Sequence, residues 1–223
     1  MRFATRLSAL ALAGAGMVAA AGAQAQSMDV SVTGTVTPPA CAATLGGGVV
    51  DYGRILVSTL SETELNPLPE KAVPFSIACG VATRVAMRSV DNRSASQVAG
   101  ILRGISTDFV ELHNFGLGTV GGARVGGYLI HLRQGTFTAD GASVFTVHSG
   151  NNNAGWGHTR FGTTQHRSDY STSWSATEGG RPLAFRNLSG NLVVQAVLNR
   201  GDALPLQDEV PLDGLATLEM LYL

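Results

Sequence analysis

The two cysteines are the first candidates for chemistry in this chain. Cys41 and Cys79 are its only cysteines. They form no Cys-x-x-Cys motif, which excludes a thioredoxin-like redox site, and two cysteines this far apart lack the spacing of a zinc site. In an exported protein an isolated pair predicts a structural disulfide. Closing a loop of this length would stabilise the fold by about 4 kcal/mol.

The histidines and acidic residues are candidates for general-base, metal or glycosidase chemistry, but their spacing supports none of these. The histidines are His113, His131, His148, His158 and His166. None belongs to an HExxH motif, and the chain lacks GxSxG, a P-loop and GxGxxG before a helix. Asp169, Glu178 and Asp202 would form a glycosidase pair only if the fold brought them close. We predict that the protein is not an enzyme and holds no metal or cofactor.

Aromatic residues mark a third candidate site, in the polar segment 149–180. This segment is rich in Asn, Gly, Ser, Thr and His, and it contains Trp156, Tyr170 and Trp174. These rings would offer stacking faces to a sugar, or they would pin a long loop to the core. The segment itself fits either one long loop or short strands joined by polar turns. Both interpretations remain open.

The N-terminus predicts a secretory signal peptide over residues 1–25. Arg2 and Arg6 form a positive region, and residues 7–20 form an apolar, alanine-rich stretch too short for a comfortable membrane span. Ala-Gln-Ala at 23–25 fits a signal-peptidase site, so the mature chain would start at Gln26. We therefore expect Sec-dependent export to the periplasm.

The charge of the mature chain argues against nucleic acid as a partner. Without Arg2 and Arg6, the 15 basic residues become 13, against 16 acidic residues, and Lys71 is the only lysine. No basic cluster exists that would bind nucleic acid or an anionic membrane. A chain of this size buries about 70% of its unfolded surface as one domain, so its stability requires no metal or other additional cross-link.

Short apolar runs bounded by Gly, Asn, Asp and Pro predict an all-β antiparallel sandwich. The predicted strands cover residues 49–56, 73–78, 83–90, 127–133, 143–148, 192–198 and 214–223. Turn signals include Gly-Gly at 121–122 and Asp-Gly at 140–141.

Two segments near the ends of the chain alternate in the manner of strands with one buried face. The first places Val30, Val32, Gly34 and Val36 on one side, and the second places Gly214, Ala216, Leu218, Met220 and Tyr222 on one side. Proline cannot donate to a ladder, so Pro-Pro at 38–39 ends the first segment. Such a segment either pairs within its own sandwich or adds to an exposed sheet edge of a neighbour.

Several motifs resemble the fimbrial subunits of the chaperone–usher pathway. They are residues 30–37 with Gly34, Pro-Ala-Cys at 39–41, Gly-Val-Val-Asp-Tyr-Gly at 48–53, Val-Pro-Phe-Ser-Ile-Ala-Cys at 73–79 and the penultimate Tyr222. Residues 212–223 are similar to a group of exported fimbrial-like proteins of Gram-negative bacteria whose function is undefined. Where the usual pilin has a glycine fourteen residues from its end, this chain has Val210, and Gly214 is tenth from the end.

The resemblance implies an immunoglobulin-like, pilin-type sandwich over residues 41–223, preceded by a donor-strand extension at 26–40. In such subunits the disulfide ties the first strand to the end of the second, here through Cys41 and Cys79. Val30, Val32, Gly34 and Val36 would be the donor face. Gly214, Ala216, Leu218, Met220 and Tyr222 would line the groove where chaperone and donor strands dock.

The function implied is that of a minor or tip-proximal fimbrial subunit at the cell surface, assembled by donor-strand exchange. Its partners would be a periplasmic chaperone, an outer-membrane usher, neighbouring subunits and a host glycan or protein as the adhesion target. The alternative is a self-complete secreted β-sandwich that binds carbohydrate or protein through residues 149–180.

Overall fold

The computed structural model describes residues 31–35 and 40–223. The chain divides into two compact units, Met1–Thr37 and Pro38–Leu223. In the first unit, residues 31–35 are exposed and form no strand or helix. In the described part of the chain no helix is long and apolar enough to cross a membrane.

The second unit consists of strands, joined by turns and 3₁₀ turns. Its strands are β1 (Cys41–Leu45), β2 (Asn66–Pro67), β3 (Lys71–Thr83), β4 (Val85–Asp91), β5 (Phe115–Gly116), β6 (Thr119–Val120), β7 (Ala123–Arg124), β8 (Gly126–Leu132), β9 (Thr138–Ala139), β10 (Ala142–Ser143), β11 (Phe145–Ser149), β12 (Gly157–His158), β13 (Ser171–Ser175), β14 (Phe185–Leu198) and β15 (Ala216–Tyr222). The 3₁₀ helices are Val57–Thr59, Ser94–Ser96, Ile101–Gly104, Glu111–His113 and Gly201–Ala203.

These strands form two sheets that pack face to face. Sheet A has the order β1-β3-β14-β8-β5; β2 and β9 also pair with β14, and β10 pairs with β9. Sheet B has the order β12-β11-β13-β4-β15, and β6 pairs separately with β7. Every pairing is antiparallel. The prediction of an all-β antiparallel sandwich is confirmed.

One long run of chain contributes to both sheets. β3 lies in sheet A and β4 lies in sheet B, and only Arg84 separates them. Alternate residues of β3, such as Phe75 and Ile77, are buried, and Val85 and Met87 of β4 continue the same core. The period of two in this sequence therefore describes one strand that changes sheets near its middle.

Trp174 lies at the centre of the core between the sheets. It is 0% exposed, and its ring centroid lies 6.0 Å from that of Phe75, 5.4 Å from Phe137 and 6.1 Å from Phe185. A second, smaller cluster formed by Ile101, Leu102, Leu129 and Val197 packs apart from this core.

Two predicted turns are confirmed by their backbone angles. The β9–β10 turn has Asp140 at φ 49° and Gly141 at φ 85°, and the β6–β7 turn has Gly121 at φ 56° and Gly122 at φ 85°. Two-residue hairpin loops of type I′ require positive φ at both positions, which Asp-Gly and Gly-Gly tolerate.

The strand predicted at residues 49–56 is absent from the fold. This segment is extended at its end, with Leu56 at φ −79° and ψ 132°, but within residues 40–223 it belongs to no ladder. Val50 and Ile55 pack against the core. The alternation of the sequence therefore indicated burial of one face correctly, while strand pairing also requires a neighbour that this segment lacks.

Candidate functional site

The C-terminal strand β15 lies at the edge of sheet B. It pairs with β4, and the flanking bonds run from Asn92 N–H to Leu215 O (3.0 Å) and from Leu223 N–H to Arg84 O (3.1 Å). Antiparallel pairing makes main-chain bonds through alternate residues, so the odd-numbered residues of β15 bond to β4. The main-chain groups of the even-numbered residues face the outer edge, where no strand pairs with β15 within residues 40–223.

The same even-numbered residues carry the apolar side chains of β15 that face the core. Ala216, Leu218 and Met220 are half-buried against the main core, and Tyr222 is 50% exposed. This edge therefore combines unpaired main-chain groups with apolar side chains, which are the two features that an added strand would use.

Gly214 does not lie with the other four residues of the predicted groove set. It precedes β15, and a Cβ at this position would come within 2.8 Å of Tyr128 Cε1 and 3.2 Å of Leu117 Cδ1. The absence of a side chain here lets the chain pass close to the Tyr128 ring. Gly214 is a packing position, and the edge is formed by Ala216, Leu218, Met220 and Tyr222.

The first strand of the sandwich forms a second open edge, in sheet A. The bonds from Gly80 N–H to Ala40 O (3.1 Å) and from Gly46 N–H to Pro74 O (2.7 Å) show that even-numbered residues around β1 bond to β3. The main-chain groups of Cys41, Ala43 and Leu45 therefore face away from β3. Within residues 40–223, β1 and β15 are not paired with each other.

A cavity of about 1150 Å³ opens between the two segments that continue these edges. One wall is residues 49–57, which follow β1, and the other is residues 206–212, which precede β15. Leu60, Val125, Leu198 and Leu204 complete the lining. We call this cavity, together with the open edges of β1 and β15, the groove.

The wall formed by residues 49–57 carries apolar side chains that are open to solvent. Val49 is 76% exposed, Leu56 58% and Val57 51%. Large apolar side chains at such exposure within one short segment form an apolar patch of the kind that another apolar surface can cover.

Tyr52 fixes this wall to sheet A. Its hydroxyl donates to Val194 O (3.3 Å) and accepts from Ala196 N–H (3.1 Å), in the gap where β14 has left β3 and has not yet met β2. Burial raises the pKa of Tyr52 above its usual value, with a smaller contribution from Glu70. The side chain therefore replaces main-chain pairing across a break in the sheet.

The predicted disulfide between Cys41 and Cys79 is confirmed and lies at the far end of the open edges. The two residues are directly opposite in the β1–β3 ladder, with a Cα–Cα distance of 4.0 Å. At the same end, Cys41 N–H donates to the hydroxyl of Tyr222 at 3.0 Å. A disulfide is typical of an exported protein, because reducing compartments keep cysteines in the free thiol form.

Two charged pairs link β15 and the segment before it to β4 and the segment after it. Arg88 Nη2 lies 2.7 Å from Glu219 Oε2, and Arg93 contacts both carboxylate oxygens of Asp213 at 2.9 and 3.0 Å. The Arg93 guanidinium lowers the pKa of Asp213. These pairs are partly exposed, so each adds little stability. Their geometry nevertheless favours pairing of β15 with β4 over detachment of the last strand.

The predicted donor residues fall partly outside the described residues, where Val30 and Val36 lie. Val32 is 92% exposed, and a Cβ added at Gly34 would meet no atom within 4 Å. Within the described residues 31–35, Val32 is therefore an apolar side chain that is exposed to solvent.

The polar segment 149–180 forms short strands joined by turns, and two of its three aromatic rings are buried. Trp174 belongs to β13 and to the core, and Tyr170 donates its hydroxyl to Thr163 O at 3.1 Å. Burial raises the pKa of Tyr170. Neither ring presents a free face to a sugar, and only Trp156, which is half-buried, retains partial access.

The histidines do not assemble a metal site in the part of the chain that the structure describes, where no three His, Cys, Asp or Glu residues meet in a suitable group. His113 and His131 pack around the Phe109 ring, at 6.1 and 6.3 Å between centroids. Burial lowers the pKa of His113 to about 4, with His166 and His131 acting in the same direction.

We expect acidification to destabilise the protein through His113. The folded protein holds this imidazole neutral down to about pH 4, whereas the unfolded chain takes up a proton near its ordinary pKa of 6.5. The unfolded state therefore binds more protons between these values, so the free energy of unfolding decreases as pH falls. The ring is only partly buried and water screens it, so the expected loss is about 1–2 kcal/mol.

Urea unfolding at pH 7 and pH 4.5 measures this loss. The variant His113→Gln retains an acceptor for Val110 N–H, which the native ring accepts at 3.1 Å through Nδ1, but cannot take up the proton. Its stability should decrease less between the two pH values than that of the native protein. An identical decrease in both proteins would contradict the prediction.

Comparison with known proteins identifies two similarities. Residues 30–128 match a family described as "Protein of unknown function (DUF1120)". Protein GltF of Escherichia coli (strain K12) is 28% identical to this chain over 232 residues, which cover 86% of this chain and 87% of GltF. The matched family region contains the disulfide, β3, β4 and the wall at residues 49–57.

Proposed function

We propose that this protein is a non-catalytic, exported fimbrial subunit that accepts a β-strand into the groove. The observation that carries the proposal is the open edge of β15, whose unpaired main-chain groups and apolar side chains lie on the same four residues. Main-chain bonds would give an added strand its affinity, and the side-chain pockets would select its sequence.

The occupant that we propose for the groove is the segment 28–37 of a second copy of this chain. Its valines at positions 30, 32 and 36 alternate with Ser and Thr. The valine face would match the apolar interior of the groove, and the Ser and Thr face would remain exposed to water. Burial of each valine would contribute roughly 1.5–3 kcal/mol. Val32 is 92% exposed, so this apolar surface is not yet removed from water.

The pathway we propose follows from the same groove. After Sec-dependent export and removal of residues 1–25, a periplasmic chaperone would cover the groove until an outer-membrane usher brings in the next subunit. An exposed, unpaired edge otherwise promotes aggregation, so a protein built in this way requires a temporary partner. The assembled position would be minor or tip-proximal, with adhesion to a host glycan or protein as its purpose.

Addition of a peptide of residues 28–37 to the full mature chain tests the proposal. The chain, secreted to the periplasm and purified, should form oligomers on size exclusion, and an excess of peptide should convert them to a monomer with one peptide bound. A peptide with Val32→Asp would place a carboxylate in the groove and should bind at least about 100-fold more weakly. A monomer that is indifferent to the peptide would contradict strand donation and indicate a self-complete sandwich.

A matched pair of protein variants locates the binding edge. Leu218→Asp places a charge on the apolar face of β15, and Thr217→Asp places it on the neighbouring exposed residue. We expect loss of peptide binding for Leu218→Asp and little change for Thr217→Asp, with circular dichroism verifying that both remain folded. Equal binding by the two folded variants would show that the peptide binds elsewhere.

A further inference from the structure

Tyr222 bridges the two sheets at one end of their open edges. The inward-facing residues of β15 are even-numbered, so the Tyr222 side chain leaves the strand on the side of the core, as do Leu218 and Met220. Its hydroxyl reaches sheet A, where it accepts the N–H of Cys41 at 3.0 Å. The bond joins residues 181 positions apart in the chain.

The Cys41 N–H is a group that a neighbouring strand would normally satisfy. Cys41 and Cys79 form a pair without main-chain hydrogen bonds between them, because the adjacent bond from Gly80 N–H to Ala40 O sets the alternation. The Cys41 N–H therefore faces outward from sheet A. The Tyr222 hydroxyl occupies the position of the carbonyl that a strand added beside β1 would supply.

Neighbouring strands hold the main chain at both partners of this bond. The disulfide and the β1–β3 ladder hold Cys41. On the other side, Tyr222 lies opposite the fully buried Val85, and Leu223 N–H donates to Arg84 O at 3.1 Å. The main chains on both sides are held in this way, so displacement of the hydroxyl by an incoming strand would require the Tyr222 side chain to rotate away from Cys41.

We infer that Tyr222 is the end wall of the groove: it stops an incoming strand beside Met220 and thereby sets its register. The inference rests on the proposed strand-accepting function and adds the residue that limits it. An incoming strand would bond to the outward main-chain groups of Ala216, Leu218 and Met220, while Cys41 keeps its bond to the Tyr222 hydroxyl.

Amide hydrogen exchange, measured by NMR with and without the native 28–37 peptide, tests the inference. The protein is the ¹⁵N-labelled mature chain carrying Val32→Asp, because this change keeps its own donor segment out of a neighbour's groove and leaves the groove free. The amides of Ala216, Leu218 and Met220 should exchange fast in the free protein and become protected on binding. The Cys41 amide should be protected to the same degree in both states.

The outcomes separate the two proposals. Protection of the β15 amides together with a change at Cys41 would keep the strand-accepting function and overturn the end wall. An absence of protection at all three β15 amides would overturn the strand-accepting function, and the end wall with it. Protection at these amides with an unchanged Cys41 supports both.

Two further changes, made in the same Val32→Asp chain, separate the hydroxyl of Tyr222 from its ring. In the free protein, Tyr222→Phe should raise the exchange rate of the Cys41 amide about tenfold, because only the acceptor is lost. Tyr222→Ala removes the wall as well, and the peptide should then protect Cys41. If the peptide leaves Cys41 unprotected in Tyr222→Ala, the ring does not limit the strand and the inference is wrong.

Discussion

Replacement of Trp174 by alanine is expected to lower the free energy of unfolding by about 3–5 kcal/mol. The side chain is 0% exposed and lies between the rings of Phe75, Phe137 and Phe185, at 5.4 to 6.1 Å between centroids. Its removal takes contacts from both sheets and leaves a cavity that rigid strands cannot close. A loss of this size is a large part of the stability of an ordinary domain.

Trp156→Ala is the matched control, because this tryptophan belongs to the same polar segment but is only half-buried. Chemical denaturation followed by circular dichroism should give a much smaller loss of stability for Trp156→Ala than for Trp174→Ala. Equal stabilities of the Trp174 variant and the native protein would contradict the central packing role. If a glycan binds through Trp156, the Trp156 variant should lose glycan binding while showing only this small loss of stability.

Removal of the disulfide by the double change Cys41→Ser and Cys79→Ser is expected to cost about 4 kcal/mol. The two residues are 38 positions apart, so the cross-link removes much of the chain entropy of the unfolded state. Its loss should also loosen β1, since within residues 40–223 this strand pairs on one side only, with β3. The predicted result is a lower midpoint of urea unfolding and faster exchange of the β1 amides.

A second cross-strand pair in the same ladder supplies the control. Thr44 and Ser76 lie opposite each other in β1 and β3, and their change to alanine should alter stability by about 0.5 kcal/mol or less. Reduction of the native protein with dithiothreitol should reproduce the loss seen for the double serine variant. A disulfide-free protein as stable as the Thr44/Ser76 variant would refute the cross-link's contribution.

Local patterns in the sequence determined the strands that have neighbours on both sides. The apolar alternation of β3, β4 and β14 places Phe75, Val85 and Leu192 in the core, as expected from a period of two. The disulfide and the two hairpin turns were likewise predictable, because cysteine pairing in an isolated pair and positive φ at Asp-Gly and Gly-Gly depend on few residues.

The walls of the groove were only partly visible in the sequence. Residues 49–57 alternate like a strand yet have no pairing partner within residues 40–223, and residues 206–212 place Leu206, Val210 and Leu212 among Pro, Asp and Glu without a period. The sequence around Tyr52 does not indicate that its hydroxyl joins this wall to sheet A. Its two hydrogen bonds are with Val194 and Ala196, which lie 142 and 144 residues away.

The sequence alone specified the buried faces of β3, β4 and β14, the cysteine pair and the even-numbered apolar residues of β15, since each depends on chemistry within a few positions. The tertiary structure decided which edge stays open, that Trp174 and Tyr170 are buried and that Gly214 packs under Tyr128. It also decided that Tyr222 meets Cys41. These features depend on which strands become neighbours, and alternation specifies the buried face of a strand without specifying its partner.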